Sequence, residues 1–152
     1  MALSGSDSMR GRNAKMTDIV NGLLVQNGRV LMGLRSASRK NYPGLWSFVG
    51  GHVEDGETLE QALIRELGEE VGVKAQRFAK IFEFAALAPS GEGSITFHMF
   101  AVDQWQGTPE NLGDEHSEVR WVEFEEAIRL PDLAFAEYQD VFEKLKEEGA
   151  LH

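Results

Sequence analysis

The stretch from Thr58 to Gly72, TLEQALIRELGEEVG, constrains this chain more than any other. With Leu59 at the origin of a helical wheel and about 100° per residue, Leu63, Ile64, Leu67 and Val71 gather on one strip that has to face a core. Thr58 can cap the amide of Gln61 while Gln61 reaches back, and Gly72 supplies a stop, so the spacing predicts a helix ending near Val71. Glu66, Glu69 and Glu70 gather on a neighbouring strip. Like charges three and four residues apart cost a helix roughly 0.2–0.5 kcal/mol per pair, and the negative end of the macrodipole adds to the penalty. One outcome for such a cluster is a solvated acidic face. The other is a bound divalent cation, which would reverse the sign of both penalties. Two neighbours weigh toward the cation. Gly50-Gly51 lets backbone approach an ion closely and offer a carbonyl. Arg65 stands four residues before Glu69, and Glu57 can reach the same guanidinium from the preceding loop. Carboxylates, a carbonyl and water form a hard-oxygen set suited to magnesium or manganese.

Around this helix the pattern is mostly extended. Apolar residues 19–25 and 30–32 flank Asn27-Gly28, a pair that favours a two-residue hairpin because both turn positions need positive φ. Residues 40–57 read as a loop, a short strand at Trp46–Val49 and a second loop. Further strands are expected around Phe78–Phe84, Ile95–Trp105 and Val119–Phe124, with the Pro89–Gly93 loop as the rim of a pocket. Phe135, Tyr138, Val141, Phe142 and Leu145 fall at helical spacing near the C-terminus, a stripe we assign to the core. Strands early, one helix mid-chain and one at the end give an α+β class, a mixed β-sheet between helices. Residues 1–16 are small, polar and aperiodic and are expected to form a flexible leader, its native origin left open. Residues 17–152 are the length of a single domain.

Composition then narrows the chemistry. The net charge of −10 repels a polyanion, so a nucleic-acid polymer is not an expected partner. With no cysteine, thiolate catalysis, zinc fingers and iron–sulfur clusters are excluded. No apolar run approaches the roughly 20 residues of a membrane span. We therefore expect no membrane partner and a cytoplasmic location.

The segment Gly51–Val73, GHVEDGETLEQALIRELGEEVGV, resembles the Nudix box, with Gly51, Glu57, Arg65, Glu66, Leu67, Glu69, Glu70, Gly72 and Val73 at its defining positions. Chance would produce such a match about once in a billion windows at average residue frequencies. The order of hairpin, strand, helix, strands and terminal helix is also similar to the Nudix fold, an α/β/α sandwich. The resemblance implies a hydrolase of a nucleoside diphosphate linked to another group X. It implies that Mg2+ or Mn2+ is held by the Gly50 carbonyl, Glu66, Glu69 and Glu70, with Arg65 and Glu57 as braces. The expected reaction is attack by an activated water on a pyrophosphate phosphorus, the favoured substrate a (deoxy)nucleoside triphosphate giving a monophosphate and pyrophosphate.

The proton acceptor is open between Glu69, Glu70 and a glutamate of the GDEHSEVRW segment. There Glu118 is favoured over Glu115 and His116. Arg35 is expected to contact phosphate, and Trp46 and Phe48, with Phe84 and Phe97 as further options, to meet the base. His98 is assigned a structural role, and His52 occupies a variable position of the box. MutT-type members often carry proline before the paired glycines where this chain has Val49, which loosens any transfer of base preference. The alternatives are a nucleotide-sugar hydrolase and a non-catalytic nucleotide or nucleotide-sugar sensor on the same fold. Isopentenyl diphosphate isomerase shares that fold but resembles enzymes with a catalytic cysteine, absent here. A homodimer is left open.

Overall fold

The computed structural model describes residues 16–152. Its elements, in chain order, are β1 (Met16–Gln26), β2 (Arg29–Arg35), β3 (Trp46–Ser47), β4 (Val49–His52), α1 (Leu59–Val71), β5 (Lys74–Leu87), β6 (Ser94–Gln106), β7 (His116–Val122), α2 (Phe124–Ala127) and α3 (Tyr138–Glu147). The expectation of a leader falls on residues 1–15, outside the described ones. Met16 is not part of it. This residue opens β1, opposite Ser94 of β6.

β1 organises the sheet. It runs parallel to β6 from Met16 to Leu24 and antiparallel to β4 from Ile19 to Gly22, then turns at Asn27-Gly28 into β2. Both turn residues have positive φ, 55° and 77°, the geometry this dipeptide favours. β5 extends the sheet beyond β6, and β3 and β7 pair with β2, so the sheet is mixed. Side chains alternate across it. Val20, Leu24, Phe100 and Val102 meet Leu63, Leu67 and Val71 of α1, whereas Leu23, Met32 and Met99 meet Tyr138, Val141, Phe142 and Leu145 of α3. Helices thus cover both faces, the layered α+β arrangement expected.

α1 begins and ends as its sequence requires. Thr58 Oγ1 accepts from the Gln61 amide at 3.1 Å, Gln61 Oε1 accepts from the Thr58 amide at 2.9 Å, and Gly72 closes the helix at φ 73°. The helix sits low on the sheet because Gly22 has no side chain. A Cβ there would lie 2.8 Å from a Leu67 methyl.

Several expectations are corrected. Ile64, assigned to the core strip, is 39% exposed: the buried face of the helix is formed by Leu63, Leu67 and Val71, and Ile64 is not among the residues packed with them. β5 is far longer than Phe78–Phe84: it pairs with β6 from Lys74 to Leu87, and irregularities at 75–78 and 80–82 break the alternation that would have revealed its ends. Phe124 starts α2 instead of ending a strand, and β7 begins at His116, inside the segment read as a loop. Phe135 precedes α3.

Candidate active site

A cleft of about 430 Å³ opens where β1, β4 and α1 meet, and it continues past the end of the sheet onto the α3 face. Its acidic end is built by the last turns of α1. Glu66 and Glu70, one turn apart, are each only 9% exposed, while Glu69 points outward with a side chain 60% exposed. The paired glycines make room for this. A Cβ on Gly51 would occupy the place of the Glu66 carboxylate, and a Cβ on Gly50 would collide with the Val20 carbonyl. No other residue fits at Gly50, and at Gly51 a side chain would displace the Glu66 carboxylate from its place.

Arg65 ties the acidic turn together. Its Nε donates to Glu57 Oε2 at 2.6 Å and Nη2 to Glu57 Oε1 at 3.0 Å, a two-pronged pair. Nη1 donates to Glu66 at 3.0 Å and to Glu69 at 3.3 Å, and Nη2 also reaches the His52 carbonyl at 3.0 Å. The guanidinium, followed by the Glu54 amide, holds the Glu57 carboxyl down at about 2. Glu70 goes the other way. Burial first, then its contact with Glu66 and the charges of Glu66 and Glu115, push its carboxyl well above the usual carboxylate range, against the opposing Gly50 backbone hydrogen bond. Glu70 Oε1 is buried without a hydrogen-bond partner, and the nearest imidazole nitrogen, His116 Nδ1, is 4.0 Å away.

Among the described residues no three acidic or imidazole groups already converge on one point, since Arg65 engages Glu66 and Glu69. The donors nonetheless fit a hard cation. One buried carboxylate oxygen is unpaired, a second carboxylate lies in a space only glycine leaves open, and oxygen is the ligand type throughout. Charge crowding of this kind is what a divalent ion relieves.

The middle of the cleft is basic. Arg35 Nη1 donates to Glu115 Oε2 at 2.6 Å and Nε to the Asn41 carbonyl at 2.9 Å, and Arg39 pairs with Glu115 at 3.3 Å. The far end is apolar: Ile19, Ile95 and Phe97 form a floor, and Phe135 and Tyr42 a wall, with these two rings edge to face at 5.1 Å. Phe48 lines the cleft from within the core, 4.8 Å from the ring of Tyr138.

Two expected site residues are elsewhere. Trp46 does not line the cleft: it is buried on β3 beneath the guanidinium of Arg120, 4.8 Å from the ring. Glu118 does not line it either, and pairs with Arg120 at 3.1 Å. A bulge at Leu34/Arg35 explains this. It sets His116 opposite Arg35 with its ring over Gly33, where an added Cβ would meet it at 2.5 Å, and leaves Glu118 opposite Leu34, which packs against the α3 core. Burial holds the His116 imidazole below its ordinary range. Glu115, not Glu118, is the acid of that segment that reaches the cleft. The Pro89–Gly93 loop lines no part of it. Phe84 is stacked on Phe97 at 4.8 Å and is not among the lining residues. His98 is structural in its contacts, held between Asp18 and Lys80 at 2.8 Å each. Asn21, Arg39, Tyr42 and Phe135 line the cleft without having been singled out as site residues. Only Phe135 carried a signal, and it pointed to the core.

This fold and this acidic turn define a protein class. The NUDIX domain family model matches residues 16–145, and the chain belongs to the Nudix family, as a hydrolase of phosphoric anhydride bonds; enzymes of this family generally use a divalent cation. Among curated relatives, the CTP pyrophosphohydrolase of Escherichia coli is 34% identical over 119 residues, covering 77% of this chain and 83% of its own length. The 8-oxo-dGTP diphosphatase of the same organism is 32% identical over 108 residues, covering 71% and 81%. The solution structure of the E. coli ORF135 protein is 31% identical and superimposes with a TM-score of 0.74 over 98% of this chain and 96% of that one. The MutT NUDIX hydrolase of Burkholderia pseudomallei, 21% identical with a TM-score of 0.75, shares the fold.

Proposed function

We propose that the protein is a pyrophosphohydrolase of (deoxy)nucleoside triphosphates, releasing a nucleoside monophosphate and pyrophosphate. The observation that carries this reading is one continuous cleft that runs from the buried Glu66/Glu70 pair, past Arg35 and Arg39, to an apolar slot with aromatic walls. That sequence of acidic, basic and flat apolar surfaces matches cation, polyphosphate and base. The names of the E. coli relatives, which act on CTP and 8-oxo-dGTP, support the same substrate class.

In this reading Mg2+, or Mn2+ in its place, is held by the Gly50 carbonyl and the carboxylates of Glu66, Glu69 and Glu70. When bound, the cation supplies charge neutralisation for the polyphosphate and lowers the pKa of the attacking water. Arg65, anchored by Glu57, fixes the orientation of Glu66 and Glu69. Arg35 and Arg39 bind the outer phosphates, trading part of their contact with Glu115 for the substrate. Glu69 takes the proton from the attacking water on Oε2, the oxygen that Arg65 does not engage, because it is the exposed member of the three. Phe97, Phe135 and Phe48 hold the base. Trp46 and Glu118 have no part in it.

Incubation with magnesium and a panel of nucleoside triphosphates, nucleotide sugars and dinucleoside polyphosphates tests the proposal. Pyrophosphate released together with a monophosphate is the expected result. Exclusive turnover of nucleotide sugars, or of no compound at all, would overturn it.

A further inference from the structure

The apolar slot contains a polar group that packing does not require. Asn21 lies on β1, on the same sheet face as Ile19 and Leu23, opposite Gly50 on one side and Met99 on the other. It lines the cleft yet is only 5% exposed. Its Nδ2 donates to the Phe48 carbonyl at 3.4 Å, and its Oδ1 is buried with no partner. The orientation of the amide is not arbitrary. The Phe48 carbonyl can only accept, so rotating the carboxamide by half a turn would set two acceptors against each other. The free atom is therefore the oxygen. A β-branched or leucine side chain would pack here against Ile19 and Met99 without an orphaned acceptor, and strands favour such residues. An unpaired buried acceptor in a ligand cleft is a group waiting for a donor.

We propose that Asn21 determines base specificity: its Oδ1 accepts a hydrogen bond from the exocyclic amino group of a base seated against Phe97 and Phe135. The inference rests on the nucleotide reading of the cleft. It adds that bases bearing an amino group are preferred over counterparts lacking it, because an analogue without that donor leaves the buried oxygen unpaired, whereas an apolar slot alone discriminates weakly.

The test compares matched pairs of triphosphates: cytidine with pyrimidin-2-one riboside, adenosine with purine riboside, guanosine with inosine. For the best pair, wild-type kcat/KM should favour the amino-bearing base by roughly ten- to a hundredfold. Asn21→Leu, or Asn21→Val should the larger side chain not fold, should bring the two within about twofold. Asn21→Asp, which keeps an acceptor, should keep the preference. Equal rates for every pair in the wild type, or a preference unchanged in Asn21→Leu, would overturn the proposal. A fall in Tm with the preference intact would assign Asn21 to support of the Phe48 carbonyl instead. If no triphosphate is turned over, calorimetric binding of the corresponding monophosphates separates the two ideas. Discrimination without turnover refutes only the hydrolase reading, and its absence refutes the role of Asn21.

Discussion

The two ends of the cleft are built on opposite principles. The acidic end comes from one helix turn and the glycine pair before it, all within 23 residues of sequence, and its side chains break local rules of charge placement. The apolar end is assembled from β1, β6 and the segment before α3, residues up to 116 positions apart between Ile19 and Phe135, and most of its side chains obey the rules of ordinary core packing. A site made of violations announces itself in sequence; a site made of conforming residues does not. The difference should also show in what each end does: the acidic end sets rate, the apolar end sets affinity and choice of base.

The largest expected effect lies at the acidic end. Glu70→Gln should lower kcat by more than about a hundredfold with little change in far-ultraviolet circular dichroism, because a group that can ionise to ligate the cation is lost while volume is kept. Turnover close to wild type would detach rate from this carboxylate. Next comes Phe135→Ala, which should raise KM by about tenfold through loss of stacking area and leave kcat within about threefold. A fall in kcat of the same size as the rise in KM would erase the division between the ends.

How much of this was legible follows the same line. The cap at Thr58, the stop at Gly72, the Asn27-Gly28 turn and the acidic strip are local arrangements, and the structure places them where their spacing puts them. Glu118 was misplaced because one extra residue on β7, Ser117 between Glu118 opposite Leu34 and His116 opposite Arg35, decides which side chains of that strand face the cleft, and only the pairing with β2 reveals where the extra residue falls. Trp46 was misplaced for a related reason. An aromatic in a glycine-rich stretch reads the same whether it stacks on a base or lies under Arg120. Asn21 drew no notice because one polar residue in an apolar run is unremarkable until its oxygen is seen to lack a partner.

A smaller effect separates the brace from the groups it supports. Glu57 is held below its ordinary range in the fold, so its contribution to stability is present above its unfolded value of 4.5 and disappears as pH falls from there toward about 2. Acid titration of Tm should show a loss over that window that is smaller in Glu57→Gln than in the wild type. An identical acid profile in the two proteins would mean that Arg65 is oriented by other groups. Smallest of all, Glu118→Gln should leave kcat and KM within about twofold, its carboxylate being on Arg120 and outside the cleft.

The central claim is that the crowded turn of α1, and not another acidic surface of this strongly negative chain, receives the cation. Titration of Mn2+ into isotope-labelled protein, followed by paramagnetic broadening of amide signals, addresses it directly. The signals of Gly50, Gly51, Glu66, Glu69 and Glu70 should vanish first, with those of Glu125 and Glu126 still sharp. Early loss at Glu125 and Glu126, with Gly50 and Glu70 unaffected, would contradict the account.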